Sequence, residues 1–587
     1  MNRILSHDKM EKGIHHPLLA LDFENDSTTG KFICAGVAGK IKNVKWLSRH
    51  ERKRDDTYIE EYFTDINKLH NFLLSLTKGS CLLIFYNLSY DKIYLNDILA
   101  KPEIDKKSGK AKSSILEANG RIISLKLLNG LKALDLFNHT MFGSLADWIK
   151  YLDMGNKFGI QKQTLDNLQT RVMSDARATY RLGEFIEDFY YNECKIPLRL
   201  TIGSAALKLF TTKFFTDYWE RDNDELALFE RRAYYGGRTE IFKRGRQKYY
   251  SYDINSTYLS IMRENLIPDA STFRIRSNDD RYLEELGVDL TKNLAIIECD
   301  VEIPDMPIGV LPYHSIDGKL IFPIGRLHGT WTNIELSHAL KHQCKIIKIY
   351  RYIMYPIAKK YFAEFAGFIW DKRIEYRAKG NTGMDLMIKR IGNSLYGKFG
   401  QRNIERVTSK LADYPGDIPD GSRIFEWQGA TYIDVSDSDK YIPAKFEFPV
   451  VCAFITSYAR VKLLEAMLAN SDNLIYCDTD SIKLSDKANG IDVGTGLGQW
   501  KFEGTHTDDF YRPKFYADKH KGVPGRAKIM ADDSTGRTFE FERPVREREA
   551  MRRNMPANMW VKMIKKLGYE DDKREWQGSN STPIRIV

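Results

Sequence analysis

Two groups of carboxylates in this sequence stand where strands should end. Asp253 lies in Tyr252-Asp253-Ile254-Asn255-Ser256-Thr257-Tyr258, at the close of a strand-like run over 248–254. Asp478 and Asp480 lie in Tyr476-Cys477-Asp478-Thr479-Asp480-Ser481, between apolar runs at 473–476 and 482–484. That is the pattern of a β-hairpin with acids at its tip. Crowded carboxylates need a counter-charge, and hard oxygen ligands without a Cys/His cluster select Mg²⁺ or Mn²⁺ over zinc. Two such ions can clamp the attacking and leaving oxygens of a phosphoryl transfer. An isolated Asp-Thr-Asp is more simply a polar turn, so its company decides. In Lys389-Arg390-Ile391-Gly392-Asn393-Ser394-Leu395-Tyr396-Gly397, the spacing of Lys389, Asn393 and Tyr396 puts them on one helix face. Lys389 offers an ammonium to a triphosphate and Tyr396 a ring to a base pair, and Gly397 leaves room for a close approach. Arg377 precedes the turn at 379–383, and a helical hairpin would bring it near departing pyrophosphate. The plain alternative is a core Asn and Tyr beside a surface Lys.

A second set lies upstream. Asp22 and Glu24, two residues apart on an expected strand, share a face. Asn87-Leu88-Ser89-Tyr90-Asp91 follows the apolar run at 81–86. Asp175 is placed at the start of a helix expected over 176–191.

Taken together and in order, DINSTY, KRIGNSLYGKFG and YCDTDS resemble motifs A, B and C of family B DNA polymerases, and Lys514-Phe515-Tyr516 resembles the family's KxY motif. The resemblance implies that Asp253 and Asp480 are the main metal ligands, with Asp478 shaping the site and Ile254 joining metal and nucleotide binding. It places Tyr258 under the incoming sugar, Lys389 and Arg377 on the triphosphate, and Asn393 and Tyr396 along the nascent base pair. Lys514 and Tyr516 would hold the primer end. Leu259 departs from the family's usual Pro after the motif A Tyr. Upstream, the three segments resemble the motifs of a proofreading 3′→5′ exonuclease, with Asp22, Glu24, Asp91 and Asp175 as a two-metal cluster and Asn87 and Tyr90 on the single-stranded 3′ end. There the family's usual Tyr four residues before the last Asp is Arg171, which leaves Asp166 and Asp188 as alternatives to Asp175. Tyr234-Tyr235-Gly236-Gly237 resembles the YxGG motif, so Tyr234, Gly236 and Gly237 would contact DNA. With the long interval between Asp253 and Asn393, and the stretch 201–210, the chain resembles the protein-primed polymerases of small phages with linear genomes.

The resemblance implies a mixed α+β fold: an RNase H-like exonuclease domain over 1–195, then a right-hand polymerase. It would give the palm 196–264 and 447–535, the fingers 363–401 and the thumb 536–587, and insertions at 265–362 and 402–446 would be the two terminal-protein regions. A polar stretch at 411–440, with Asp413, Asp417, Asp420, Asp434, Asp437 and Asp439, reads as a protruding loop. The lysine-rich 101–112 reads as a solvated excursion, and 543–566 as a basic, partly helical stripe. Gly494 to Gly498 lacks the context of a dinucleotide loop and reads as a flexible connection, and His338, His342 and Cys344 lack a fourth zinc ligand.

The 587 residues carry 89 Lys+Arg against 79 Asp+Glu, a net +10, and are 12% aromatic, which suits a partner with phosphates and stackable bases. Seven scattered Cys with no CxxC argue against a disulfide framework. No apolar run reaches membrane length, and a monomeric, cytoplasmic protein is expected. The expected activity is strand-displacing, template-directed DNA synthesis, using two Mg²⁺ per site (Mn²⁺ as a substitute), DNA template and primer strand, dNTPs and a terminal protein. A primer-independent relative and a catalytically inactive DNA-binding scaffold are the rival readings.

Overall fold

A computed structural model describes residues 3–8, 16–46, 52–106, 109–118, 120–152, 165–277, 293–516, 519–520, 523–524 and 527–586. Its architecture is mixed α and β. The first large sheet has the order Arg52–Phe63, Phe32–Trp46, Leu18–Asn25, Leu82–Phe85, Lys132–Asp135, Arg121–Lys126, Ile115–Ala118. Its three central strands are parallel. Parallel strands are covered on both faces and therefore read as unbroken apolar runs. Along Leu18–Asn25, Leu18 and Ala20 pack on Ala178 and Leu182 of the helix Leu165–Asp188. Leu19, Leu21 and Phe23 pack on Leu69 and Leu73 of the helix Ile66–Ser75. Asp22 and Glu24 thus continue the face that looks toward Leu165–Asp188.

That helix differs from the expected 176–191. It runs from Leu165 to Asp188 and continues as a π turn over Phe189–Cys194, so Asp175 lies in its interior rather than at its start. Leu168, Val172 and Ala176 are buried at four-residue spacing, which extends the apolar stripe backward through a stretch that otherwise looks polar.

The second large sheet is antiparallel throughout: Thr239–Ile241, Leu474–Asp478, Ser481–Leu484, Gly245–Ile254, Trp500–Arg512, Phe515–Tyr516, Lys519–His520. The helix Pro449–Leu468 is buried along nearly its whole length, consistent with its lack of a polar stripe. A helical hairpin, Ala363–Ala378 and Thr382–Phe399, turns at Gly380 (φ 67°) and is capped by Asn381, whose side chain accepts from Met384 N–H. A five-stranded sheet spans Arg274–Ser277, Lys345–Tyr355, Leu294–Ile303, Ile324–Thr332 and Arg585–Ile586. Part of the expected 265–362 region, 278–292, lies outside the described residues.

The polar stretch 411–440 is mostly not a loop. Arg423–Trp427 and Ala430–Pro443 form a three-stranded sheet with Arg402–Lys410. Its Asp, Gly and Pro content hides a β-rich register anchored by the buried Trp427. Asp434 accepts from Thr408 (2.7 Å) and pairs with Arg406, and Asp413 pairs with Lys101 at 2.8 Å. The side chains of Asp437, Asp439 and Asp166 lie outside the described set. The lysine-rich 101–112 is mostly exposed, as expected, and its arms Glu103–Ile104 and Ala111–Lys112 pair as a short hairpin.

The basic tail is a strand Gly536–Pro544, a helix Glu547–Arg553 and a strand Trp560–Gly568. Lys528–Asp533 joins the same sheet, so residues 535 and 536 fall in a hairpin rather than between domains. Buried Arg574 pairs with Glu240 at 3.3 Å and ties the C-terminal hairpin to the second sheet. The seven cysteines are buried and unpaired. Among the described residues no helix is long and apolar enough to cross a membrane.

Candidate active sites

The first site forms where three strands of the second sheet meet. Asp253 stands opposite Ser481 of the hairpin, and Ile254 N–H donates to the Asp480 carbonyl at 2.8 Å. The hairpin turns on Thr479 and Asp480, with Thr479 at φ 60°, a conformation that costs a β-branched residue about 1–3 kcal/mol. Thr479 N–H donates to the Arg238 carbonyl (2.6 Å), which holds the turn down. Gly237 makes this possible: a Cβ there would lie 2.8 Å from the Thr479 side chain. Arg460 donates to the carbonyls of Tyr235 (2.6 Å) and Gly236 (3.0 Å), so Tyr234–Gly237 is braced from behind while the Cα of Gly236 faces open space. Tyr234 is half-buried near Gly400.

Burial and the nearby Asp480 and Glu503 push the Asp253 carboxyl up to about 7, against Lys389 and Lys501. Burial and Asp478 push Asp480 up to about 6, against Thr257 and Lys514. For both carboxyls burial and neighbouring acids outweigh the nearby ammonium groups, and such a donor set fits a hard divalent cation. Ile254 is buried and its carbonyl accepts from Thr257 Oγ1 at 3.3 Å. Asp478 is engaged by the protein: it accepts from Lys514 Nζ, Tyr476 OH (3.1 Å), Thr479 Oγ1 (3.1 Å) and Thr239 Oγ1 (3.2 Å). Lys514 therefore sits on Asp478, and Tyr516 stacks on Phe510 with ring centroids 5.2 Å apart.

Lys389 and Asn393 are exposed on the helix Thr382–Phe399, and Gly397 faces open space. The Tyr396 ring stacks on Tyr258 at 4.5 Å. Leu259 is buried in the core behind it. Arg377 donates to Asp385 at 3.0 Å. Sequence reasoning missed Asp385 and the buried Arg373 beside it, whose only signal was their spacing from Arg377 and Lys389. The glycine-rich loop is not free: Gly494 O accepts from Asn255 Nδ2 (3.1 Å) and Gly498 N–H donates to Asn255 O (2.9 Å), bracing the Asp253 turn.

The second site is on the first sheet. Asp22, Glu24 and Asp175 bring one carboxylate oxygen each within 4.8 Å of the others, a set that fits a hard cation. Gly36, directly across from Asp22, lets the helix backbone approach, since a Cβ there would lie 2.7 Å from Val172 O. Arg171 Nε pairs with Glu24 at 2.9 Å. Asp91 stands outside that compact set, buried, with its carboxyl raised by burial, Asp135 and Glu24. Asp135 accepts from the backbone N–H of Asn87 (2.8 Å) and Phe137 (3.0 Å), fixing Asn87 at φ 76°. Tyr90 OH donates to Asn25 Oδ1 at 2.6 Å. Asn87 and Tyr90 open on a cavity of about 1230 Å³ whose rim carries Arg121, Arg406, Arg548 and Arg552. Elsewhere, Arg244 stacks on Trp576 at 3.6 Å. His338 and His342 lie 4.8 Å apart, outside any metal-competent cluster among the described residues.

The family model for DNA polymerase type B, organellar and viral, matches residues 146–488. The DNA polymerase of Bacillus phage phi29 is 24% identical over 492 residues, covering 77% of this chain and 80% of the relative. A probable DNA polymerase of Podospora anserina is 24% identical over 395 residues, 60% of this chain and 31% of that protein. The chain spans about a third to a half of the fungal relatives it matches. The structure of phi29 DNA polymerase complexed with primer-template DNA and incoming nucleotide substrates superposes with a TM-score of 0.68 at 18% identity, covering 95% of this chain and all of that one.

Proposed function

The chain belongs to the type B DNA polymerases of the organellar and viral group, and from that premise we propose that it is a protein-primed, template-directed DNA polymerase. On this reading it carries a 3′→5′ proofreading exonuclease and displaces the non-template strand processively. The observation that carries the proposal is the convergence of the mutually repelling Asp253 and Asp480 carboxyls with Lys389 beside the Tyr258–Tyr396 stack. Two Mg²⁺, held by Asp253, Asp480 and the Ile254 carbonyl, would activate the attacking hydroxyl and neutralise the triphosphate. Tyr258 would lie under the sugar and exclude a 2′-hydroxyl. Lys389 and Arg377 would grip the phosphates, and Asn393 and Tyr396 would bound the base pair. Lys514, held by Asp478, would meet the primer end together with Tyr516. Asp22, Glu24, Asp175 and the adjacent Asp91 would form the exonuclease centre, fed with single strand past Asn87 and Tyr90.

The regions 265–362 and 402–446 would engage a terminal protein, whose hydroxyl replaces the primer 3′-OH in the first step: its oxygen attacks the α-phosphorus, pyrophosphate leaves, and the proton goes to solvent. The test is a template with Mg²⁺ and labelled dNTPs, with a primer, with terminal protein, or with neither. Extension of the primer and labelling of the terminal protein are the expected results. Failure to extend a primed template rejects the polymerase reading, and extension with neither rejects protein priming. Asp480→Ala should abolish extension and spare 3′-end degradation, and Asp22→Ala with Glu24→Ala should do the converse.

A further inference from the structure

A buried arginine links the two halves of the nucleotide site. Arg373 sits on Ala363–Ala378, one turn before Arg377, with its side chain 4% exposed against 51% for Arg377. Its Nη1 donates to Ser256 Oγ at 2.5 Å and its Nε to Asp385 Oδ1 at 2.9 Å. Asp385 turns its other oxygen to Arg377 (3.0 Å) and stands one helical turn before Lys389. Ser256 is itself unusual: it holds φ 53° at the N-cap of Thr257–Glu264, between Asp253 and Tyr258. A non-glycine residue in that conformation persists only where its surroundings hold it. The Arg373–Ser256 bond ties the helix Ala363–Ala378 to the N-cap of Thr257–Glu264, and the Tyr258–Tyr396 stack ties the hairpin's other helix, Thr382–Phe399, to that same short helix. A guanidinium is suited to such a link, because its fork presents several donors in fixed directions.

We propose that Arg373, through Ser256 on one side and Asp385 on the other, is the positioning residue that sets the distance between Tyr258 and the cations Arg377 and Lys389. A nucleotide spans that distance from sugar to triphosphate. Loosening the link would let the two ends of the pocket drift, weakening nucleotide binding and sugar discrimination together. This inference rests on the nucleotide-site reading above.

The test is single-nucleotide insertion on a primed template by the full chain, with a dNTP and the matching rNTP. The variants are Ser256→Ala, Arg373→Gln, Arg373→Lys and, as a control on the underlying reading, Tyr258→Val. Ser256→Ala and Arg373→Gln should raise KM for the dNTP about tenfold with a smaller change in kcat, and lower the preference for dNTP over rNTP about tenfold. Arg373→Lys keeps the charge but cannot span both partners, and should restore KM only in part. Unchanged 3′-end degradation shows that the fold is intact. Should Arg373→Gln fail to fold, Ser256→Ala, which removes one oxygen, decides alone. KM and preference within about twofold of wild type in Ser256→Ala, while Tyr258→Val loses discrimination, overturn the proposal. Unchanged discrimination in Tyr258→Val overturns the reading of the site, and this inference with it.

Discussion

Asp253 and Asp480 are under opposite demands from folding and from chemistry. Their carboxyls are raised on folding, to about 7 and about 6, so the folded chain binds more protons than the unfolded one between about pH 4 and pH 7. The fold is therefore favoured while they are protonated and loses that stability as pH rises toward 7. On the proposed metal-dependent mechanism the deprotonated pair is the active form, so nucleotide insertion at limiting Mg²⁺ should rise through pH 6–7. Asp480→Asn removes the repulsion: in EDTA it should stabilise the chain by about 1–3 kcal/mol at pH 8 and by little at pH 4. Thermal melts at the two pH values check this, and equal shifts at both would contradict the electrostatic account. At the proposed second centre the guanidinium of Arg171 beside Glu24 would oppose a divalent cation. In an Asp253→Ala background, Arg171→Met should tighten Mn²⁺ binding at this centre about fivefold, the worth of a partly exposed ion pair. Calorimetric titration reads it directly, and an unchanged or weaker affinity would assign Arg171 a supporting role instead.

At the scale of elements, both sites depend on a glycine opposite the residue it serves. Gly237→Ala would drive a Cβ into Thr479 and displace the hairpin turn that carries Asp480. Extension should fall at least about tenfold, with 3′-end degradation kept, and Thr479→Ala in the same chain should recover part of the loss. A double variant no better than Gly237→Ala would mean that the contact is not the cause. Such pairings mark the limit of what was legible in the sequence. Asp253, Asp478 and Asp480 could be placed because apolar strands lead into them, and Lys389, Asn393 and Tyr396 because helical spacing is a local property. Gly36 opposite Asp22 could not, because a cross-strand partner is set by register between distant segments. Nor could Arg373, whose partners Ser256 and Asp385 lie 117 and 12 residues away. Composition misled at 411–440, where acids suggest a loop while Phe425, Trp427, Tyr432 and Ile433 build strands.

At the scale of the molecule, three sheets meet around the short helix Glu547–Arg553. Lys92 of the first sheet's domain donates to Glu547 at 2.7 Å, Arg548 pairs with Glu117, and Asn558 Nδ2 donates to the Tyr90 carbonyl at 2.8 Å. From the other side Trp427 packs with Val545, Ala550 and Met551 and donates its indole N–H to Met555 O at 3.1 Å. The part-buried pairs Lys92–Glu547 and Arg548–Glu117 tie the first sheet's domain to this helix, whereas the largest buried side chain between the 402–443 and 528–568 sheets is Trp427. Closure of the 402–443 sheet on the 528–568 sheet thus leans on that side chain. If that closure keeps DNA in place, as the processive reading requires, Trp427→Ala should open it without touching chemistry. The truncation removes about 3–5 kcal/mol of packing at the junction, while each sheet keeps its own strands. Single-nucleotide insertion should stay within about twofold of wild type, since Asp253, Asp480 and Lys389 belong to other elements. Product length in a single binding event should fall about tenfold, and more steeply as salt is raised, because the opened chain would hold DNA mainly through phosphate contacts. Hydrogen exchange at 547–553 should quicken in the same variant, reporting the opening independently of DNA. Faster exchange with unchanged product length would show that the junction opens but does not retain the template, and processivity would then have to come from elsewhere in the chain.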